Sequence, residues 1–454
     1  MELKFNSDFA FGAATSSYQI EGAAFADGKG VSIWDEFVKE PGKILEGHTG
    51  EVACDHYHRW KEDVALLAEL GVQAYRFSLS WTRILPEGTG KVNPKGIEFY
   101  NDLINELLKY NITPYVTLYH WDYPNALELR GGWLNPESPK RFQEYTRVVA
   151  EAFGDRVKHF ITFNEPQIFL WLGYDKGSHA PGLHYSEKRL LTMTRHVALA
   201  HGLAVQELRR QILDARVGYA PTCGAAYYPY EETEVNIRKA RKLTNGLEKD
   251  DWLYSSSFWN ELILKGRYHL KCTELFGESL PKLTKEESDL IGQKLDFCGM
   301  NLYQGCSVSI AEDGWLTLGK QPVGHAKTGM GWSVTPKAMY WAVKNFYEEY
   351  QIPLYITENG MSSLDVISED GKVHDPARIV YLSEYLEQLQ RAIQDGADVK
   401  GYFQWSFLDN FEWEKGYTDR FGLVYVDYES QKRIPKDSFT WYSELIKRQK
   451  HLQE

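Results

Sequence analysis

Strand-forming runs and amphipathic helices alternate along this chain at a near-constant pace, and that alternation limits the folds open to it. Residues 72–81 read as a strand from their β-branched, aromatic and alternating content. Ahead of them Trp60, Val64 and Leu67 recur at helical spacing, and Gly71 supplies a stop. Ile97, Tyr100, Ile104, Leu107 and Leu108 form the next helical stripe, and residues 112–121 the next strand. A helix is predicted to open at Ser138-Pro139, with Ser as N-cap and Pro in the first turn, and to close at Gly154. Its apolar stripe is Phe142, Tyr145, Val149 and Ala152, and residues 157–163 form the strand that follows. The strand ends at Trp81, His120 and Glu165 lie 39 and 45 residues apart, a βα period. Further strands at 216–222, 295–303, 353–357 and 399–405, with 9–13 at the front, bring the count to eight. The spacing predicts the α/β class: one (β/α)8 TIM barrel over residues 1–454, whose long βα loops form the active-site pocket. A doubly wound sheet is the runner-up, but it does not need eight evenly paced strands. No linker interrupts the chain, and a barrel with long loops absorbs more than 400 residues as one domain.

Charge and composition narrow the function classes. With 63 acidic against 51 basic residues the net charge is −12, and no basic block stands out. Nucleic acid and anionic membrane surfaces are therefore not expected as partners. No apolar run approaches the 18 residues of a membrane-spanning helix, and the first eight residues lack an apolar signal core. Cys54, Cys223, Cys272, Cys298 and Cys306 are odd in number and never spaced as CxxC, which suits reduced thiols in a cytoplasm. The sequence leaves the oligomeric state open, a homo-oligomer included. Aromatic residues make up 14% of the chain, with 14 tryptophans. That exceeds what a core needs, and flat indole faces suit the apolar faces of sugar rings.

Two strand ends carry a carboxylate in similar settings, Ile161-Thr-Phe-Asn-Glu-Pro166 and Ile356-Thr-Glu-Asn-Gly360. Taken singly, either glutamate reads equally well as a turn residue. Together, on strands facing each other across a barrel mouth lined by aromatics, Glu165 and Glu358 form the pair that glycoside hydrolysis requires. One must be protonated to donate to the leaving oxygen. The other must be ionised to attack the anomeric carbon, with the two roughly 5–5.5 Å apart. Gly88-Thr-Gly-Lys91 lacks the spacing and the Ser or Thr of a phosphate loop. His56 and His58 have no third ligand at a recognisable spacing, so neither metal nor cofactor is expected.

With these motifs the chain resembles glycoside hydrolase family 1, the retaining β-glucosidase family, from Phe9-Ala-Phe-Gly to Trp441-Tyr442. Six motifs match in family order: Tyr18-Gln-Ile-Glu-Gly22, Arg76-Phe-Ser-Leu-Ser-Trp81, Leu118-Tyr-His-Trp-Asp122, Thr162-Phe-Asn-Glu-Pro166, Thr357-Glu-Asn-Gly360 and Trp405-Ser-Phe-Leu-Asp-Asn-Phe-Glu-Trp413. The resemblance implies that Glu165 is the general acid/base and Glu358 the nucleophile, with Arg76 and Tyr303 donating to Glu358. It implies that Asn164 binds the sugar 2-hydroxyl, and that Gln19, His120, Trp121, Glu412 and Trp413 hold the glycone. Trp405 matches the stacking platform, Phe421 the wall beside the 6-hydroxyl, Asn301 a further site residue, and Trp332 the aromatic beside the leaving group. The implied activity is exo-acting hydrolysis of terminal β-D-glucosyl residues from cello-oligosaccharides and aryl or alkyl β-glucosides. β-Galactosides and β-fucosides belong to the same expectation.

Three departures from the family pattern stand out. Gln167 follows Asn-Glu-Pro where the family usually has Trp, which bears on the leaving-group side, and Leu302 and Gln304 flank Tyr303. The alternatives are a 6-phospho-β-glucosidase, against which Glu412-Trp413 argues, and a non-catalytic sugar-binding relative, against which the presence of both glutamates argues. Thioglucosidases of the family lack the acid/base glutamate that stands here at Glu165.

Overall fold

The computed structural model describes residues 3–451. Eight parallel strands occur in the order in which the sequence places them. They are β1 (Ala10–Ala14), β2 (Ala74–Ser78), β3 (Thr113–Tyr119), β4 (His159–Asn164), β5 (Arg216–Ala220), β6 (Cys298–Asn301), β7 (Leu354–Asn359) and β8 (Val399–Trp405). The sheet runs β5-β4-β3-β2-β1-β8-β7-β6. Backbone bonds from Asp296 to Val217 and from Asn301 to Pro221, each 3.0 Å, join β6 back to β5 and close the (β/α)8 barrel. Its axis is filled rather than hollow: Tyr115, Tyr355 and Phe403 meet there, and Ile161, Ala220 and Phe297 form a second small cluster. Gly12 on β1 is required by that packing, because a Cβ there would sit 2.4 Å from the Phe403 ring.

The outer helices form where the apolar stripes predict them. Helix α1 (His56–Leu70) buries Val64 and Leu67 and ends on Gly71 in the left-handed region, φ +83°. Helix α2 (Pro94–Lys109) is capped by Asn93, whose side chain accepts from the Lys95 amide, and it buries Tyr100, Ile104 and Leu107, whereas Leu108, placed in the same stripe by the sequence, lies on the outer face and is exposed. Helix α3 (Ser138–Phe153) buries Phe142, Tyr145 and Val149. Its N-cap is Glu137, one residue earlier than expected, because the Ser138 hydroxyl donates to the Trp133 carbonyl instead of capping. Helices α4 (Glu187–Gln211), α5 (Ser256–Lys265), α6 (Lys337–Tyr350), α7 (Pro376–Gln394) and α8 (Asp437–His451) complete the outer layer. Among the described residues no helix is long and apolar enough to cross a membrane.

Trp81 departs from its expected place at a strand end. Strand β2 stops at Ser78, and Trp81 opens a short helix (Trp81–Ile84) in which its ring is buried and stacked on Tyr145 at 4.8 Å. The Ser80 amide donates to the Tyr100 hydroxyl at 2.7 Å, so the chain turns outward before the tryptophan is reached.

The loop after β8 is held by buried charge. Lys436 donates to Asp365 at 2.5 Å and to Asp409 at 2.7 Å, while Arg420 pairs with Asp409 and Arg378 with Asp365, each at 2.8 Å. Asp409 also accepts from the Gly422 amide. Removing one partner leaves the others as uncompensated buried charge, which is costlier than losing an exposed pair. Asp409→Ala is expected to lower unfolding free energy by about 3–5 kcal/mol in denaturant titration. A loss below about 1 kcal/mol would show that this network does not anchor the loop.

Candidate active site

The C-terminal ends of β4 and β7 are irregular, and those irregularities aim the two glutamates. Pairing slips between Ile161 and Asn164 against β5, and between Ile356 and Glu358 against β6. Such slips re-aim side chains that a regular pleat would send to the opposite face. Glu165 sits in the left-handed region, φ +43°, just before Pro166 opens a short helix (Pro166–Leu170). A non-glycine there is held at a cost, and the Glu165 amide is tied to the Ala220 carbonyl at 2.7 Å.

A continuous set of hydrogen bonds joins the two carboxyls. Arg76, fully buried on β2, donates through Nη1 to Glu358 Oε1 at 2.7 Å and through Nη2 to Asn164 Oδ1 at 2.6 Å. Asn301 Nδ2 donates to the same Asn164 oxygen at 3.0 Å and to Glu165 Oε1 at 2.9 Å. Tyr303 donates its hydroxyl to Glu358 Oε2 at 2.7 Å, and its own carbonyl is fixed by the hydroxyls of Tyr381 and Tyr385. Arg76 and Tyr303 thus donate to the two oxygens of one carboxylate.

This asymmetry separates the two acids. Burial, then the neighbouring Glu358 charge, raises the Glu165 pKa to about 8, with only the Asn301 amide and more distant Arg76 opposing. Burial pushes Glu358 up as well, but the Arg76 charge and the Tyr303 hydroxyl work against it. The pair titrates as a unit, and its first proton leaves from Glu358. Of the two, Glu165 is the one whose proton is held more strongly, because Arg76 and Tyr303 oppose the rise only at Glu358.

Both glutamates face a cavity of about 420 Å³. His120, Trp121, Asn301, Tyr303, Trp332, Trp405, Glu412, Trp413 and Phe421 also line it. Arg76 and Asn164 lie beneath them, outside the lining but bonded to it. Gln19 is buried behind Glu412, and its amide is engaged by Ser16, Asn410, the Phe411 carbonyl and, at 3.4 Å, Glu412. Burial keeps His120 neutral by pushing its pKa well down, and its Nε2 faces Asn164 Nδ2 at 3.1 Å. Burial pushes Glu412 well up, followed by the nearby charges of Glu414 and Asp419. No lysine or arginine is among the lining residues.

Several lining residues carry no motif and escape sequence reasoning. His179 and Glu414 bond across the cavity wall at 2.6 Å, and His179 packs against Trp121. Trp171 and Tyr254 stand 5.0 Å apart on the outer wall. Gln167 itself is buried away from the cavity and donates to the Thr222 carbonyl, while Trp171, one helical turn on, supplies the indole on that side. Gln304 accepts from the Ser333 amide and so steadies the loop that presents Trp332. Among the described residues no three potential metal ligands gather, and His56 is taken by buried Asp63 at 2.7 Å.

Comparison with known proteins fits this geometry. The model of the family described as "Glycosyl hydrolase family 1" matches residues 1–451. A protein of Thermotoga neapolitana named 1,4-beta-D-glucan glucohydrolase is 46% identical over 445 residues, covering 98% of each chain. Beta-glucosidase A of Thermotoga maritima is 47% identical over 447 residues, again covering 98% of each. A solved structure of the Thermotoga maritima beta-glucosidase in complex with glucoimidazole superposes with a TM-score of 0.89 at 46% identity, covering 98% of this chain and 99% of that one. Whole-length agreement in sequence and fold leaves one assignment: the chain belongs to glycosyl hydrolase family 1.

Proposed function

We propose that this chain is an exo-acting β-glucosidase that hydrolyses terminal non-reducing β-D-glucosyl residues with retention, by double displacement. Its substrates are cello-oligosaccharides and aryl or alkyl β-glucosides, with β-galactosides and β-fucosides also accepted. The observation that carries this reading is the asymmetric carboxyl pair: Glu358 accepts from Arg76 and Tyr303, while Glu165 accepts from the Asn301 amide and has its pKa raised by burial. Glu358 attacks the anomeric carbon while Glu165 gives its proton to the departing oxygen, and the C–O bond to the leaving group breaks. Glu165, now a base, takes a proton from water. As that proton leaves, the water oxygen bonds to the same carbon and the bond to Glu358 breaks, which leaves Glu358 ionised and Glu165 protonated again.

The remaining residues read the sugar. Asn164 takes the 2-hydroxyl, a contact that strengthens in the transition state. His120, Trp121, Glu412 and Trp413 hold the other hydroxyls, with Gln19 and Asn301 orienting Glu412 and Glu165. Trp405 provides the stacking face, Phe421 walls the 6-position, and Trp332 flanks the leaving group. Buried polar groups left unpaired by a wrong epimer give discrimination. A 6-phosphate is disfavoured, since it would enter a cavity that holds Glu412 and Glu414 and no lining cation. The partner is a small carbohydrate, and the five free thiols support work in a reducing cytoplasm.

Three outcomes are expected. Because the acid must be protonated, kcat/KM should fall as pH rises through about 8, and it should fall again at low pH as Glu358 takes up a proton. Glu165→Gln should remove the alkaline limb and cut rates on poor leaving groups by roughly 10²–10⁴, with smaller losses in the first step on nitrophenyl glucosides. Equal losses on both substrate types would reassign the acid. NMR of a β-glucoside digest should show β-glucose first, and the α-anomer appearing first would exclude double displacement.

A further inference from the structure

A second and larger cavity, about 760 Å³, abuts the sugar pocket. Cys223 and Tyr254 line both, so together they form the shared wall. The two cavities differ sharply in charge. The sugar pocket is lined by Glu165, Glu358, Glu412 and Glu414 with no cation. The second is lined by Arg238, Lys239, Arg241, Lys242 and Lys271 against only Glu248 and Asp251. In a chain whose net charge is −12, a concavity with a surplus of cations is not the average surface.

Intramolecular pairing does not use up this charge. Arg241 bonds Glu348 at 2.8 Å, Lys271 bonds Glu248 at 3.1 Å, and Arg238 reaches Glu234 at 3.2 Å across a highly exposed surface. Among the described residues Lys239 and Lys242 make no ion pair, although both face the cavity from one helix (Glu234–Thr244). Tyr227 and Tyr254 add aromatic faces, and Thr244, Asn245, Ser255 and Ser256 add hydrogen-bonding groups. The ring of Tyr254 is continued by Trp171 on the sugar-pocket side. A leaving group longer than one ring that extends past Trp171 and over the rim at Tyr254 is directed toward this basic cavity.

We propose that this cavity is a binding site for the far end of the leaving group, selecting β-glucosides whose aromatic leaving group carries a carboxylate. This rests on the β-glucosidase reading above and names a substrate class for it. The anionic end is drawn by Lys239 and Lys242 while its ring packs on Tyr254, so the glucosyl unit can still seat between the two glutamates.

The test compares 4-hydroxycinnamic acid β-glucoside with its methyl ester, which lacks the charge at the far end and adds one methyl group. At low salt the KM of the acid is expected to lie roughly three- to tenfold below that of the ester, the combined reach of two exposed charge contacts. About 0.5 M NaCl should erase the difference by screening. The double variant K239E/K242E should abolish or reverse it, while its kcat/KM on nitrophenyl β-glucoside stays within about twofold of the parent. Equal KM values for acid and ester in the parent overturn the proposal, as does a preference that survives in the variant. So does a KM for cellotetraose that rises in the variant while the acid preference is unchanged, which would make the occupant a neutral glucan. Failure of the parent to cleave nitrophenyl β-glucoside sinks the β-glucosidase reading itself. Cleavage without acid preference sinks only the assignment of this cavity.

Discussion

The buried guanidinium of Arg76 organises both the barrel and its chemistry. It has no exposure, and it donates to Thr117 on β3, Asn164 on β4, and both the Thr357 carbonyl and Glu358 on β7. A cation taken wholly out of water needs a compensating anion and partners for its N–H groups. The anion supplied is the carboxylate proposed as nucleophile. The interaction that satisfies the interior of the barrel is therefore also the one that opposes protonation of Glu358. Among the described residues Glu165 accepts only from the amide of Asn301, so the burial that Arg76 offsets at Glu358 raises the Glu165 pKa with little opposition.

Around this centre the structure separates charge by region. The sugar pocket gathers acidic side chains over an aromatic lining, and its far wall depends on a loop whose buried anchors are Asp409, Lys436, Arg420, Asp365 and Arg378. That loop brings Glu412, Trp413 and Phe421 to the pocket, so a rigid ionic core lies directly behind the groups that would read hydroxyls. Positioning side chains on a locked support gives a site its discrimination, since a small displacement costs rate steeply. On the other side of Tyr254 the lining turns basic, and a substrate spanning both cavities would meet opposite fields at its two ends.

Legibility in the sequence followed the range of the interactions. Gly71 ends α1 because only local backbone geometry is at stake, and the apolar stripes of α2 and α3 face the barrel because a 3.6-residue period leaves no choice. Trp81 was misleading: its composition fits a strand end, yet the Tyr100 hydroxyl takes the Ser80 amide and turns the ring into the core. Ser138 looked like a cap and instead serves the Trp133 carbonyl. Trp171, Tyr254, His179 and Glu414 carry no signal, because each reaches the pocket from a loop or a short helical turn whose path depends on distant contacts.

Chain order, strand count, the two glutamate-bearing strand ends and the residue types of the pocket were determined by the sequence alone, because periodicity and short motifs are local properties. Which glutamate keeps its proton, where Gln19 sits, and how the basic cavity meets the acidic one were decided only by tertiary structure. Those outcomes depend on burial and on charges brought together from β2, β4, β6 and β7, and neither quantity exists until the barrel has closed.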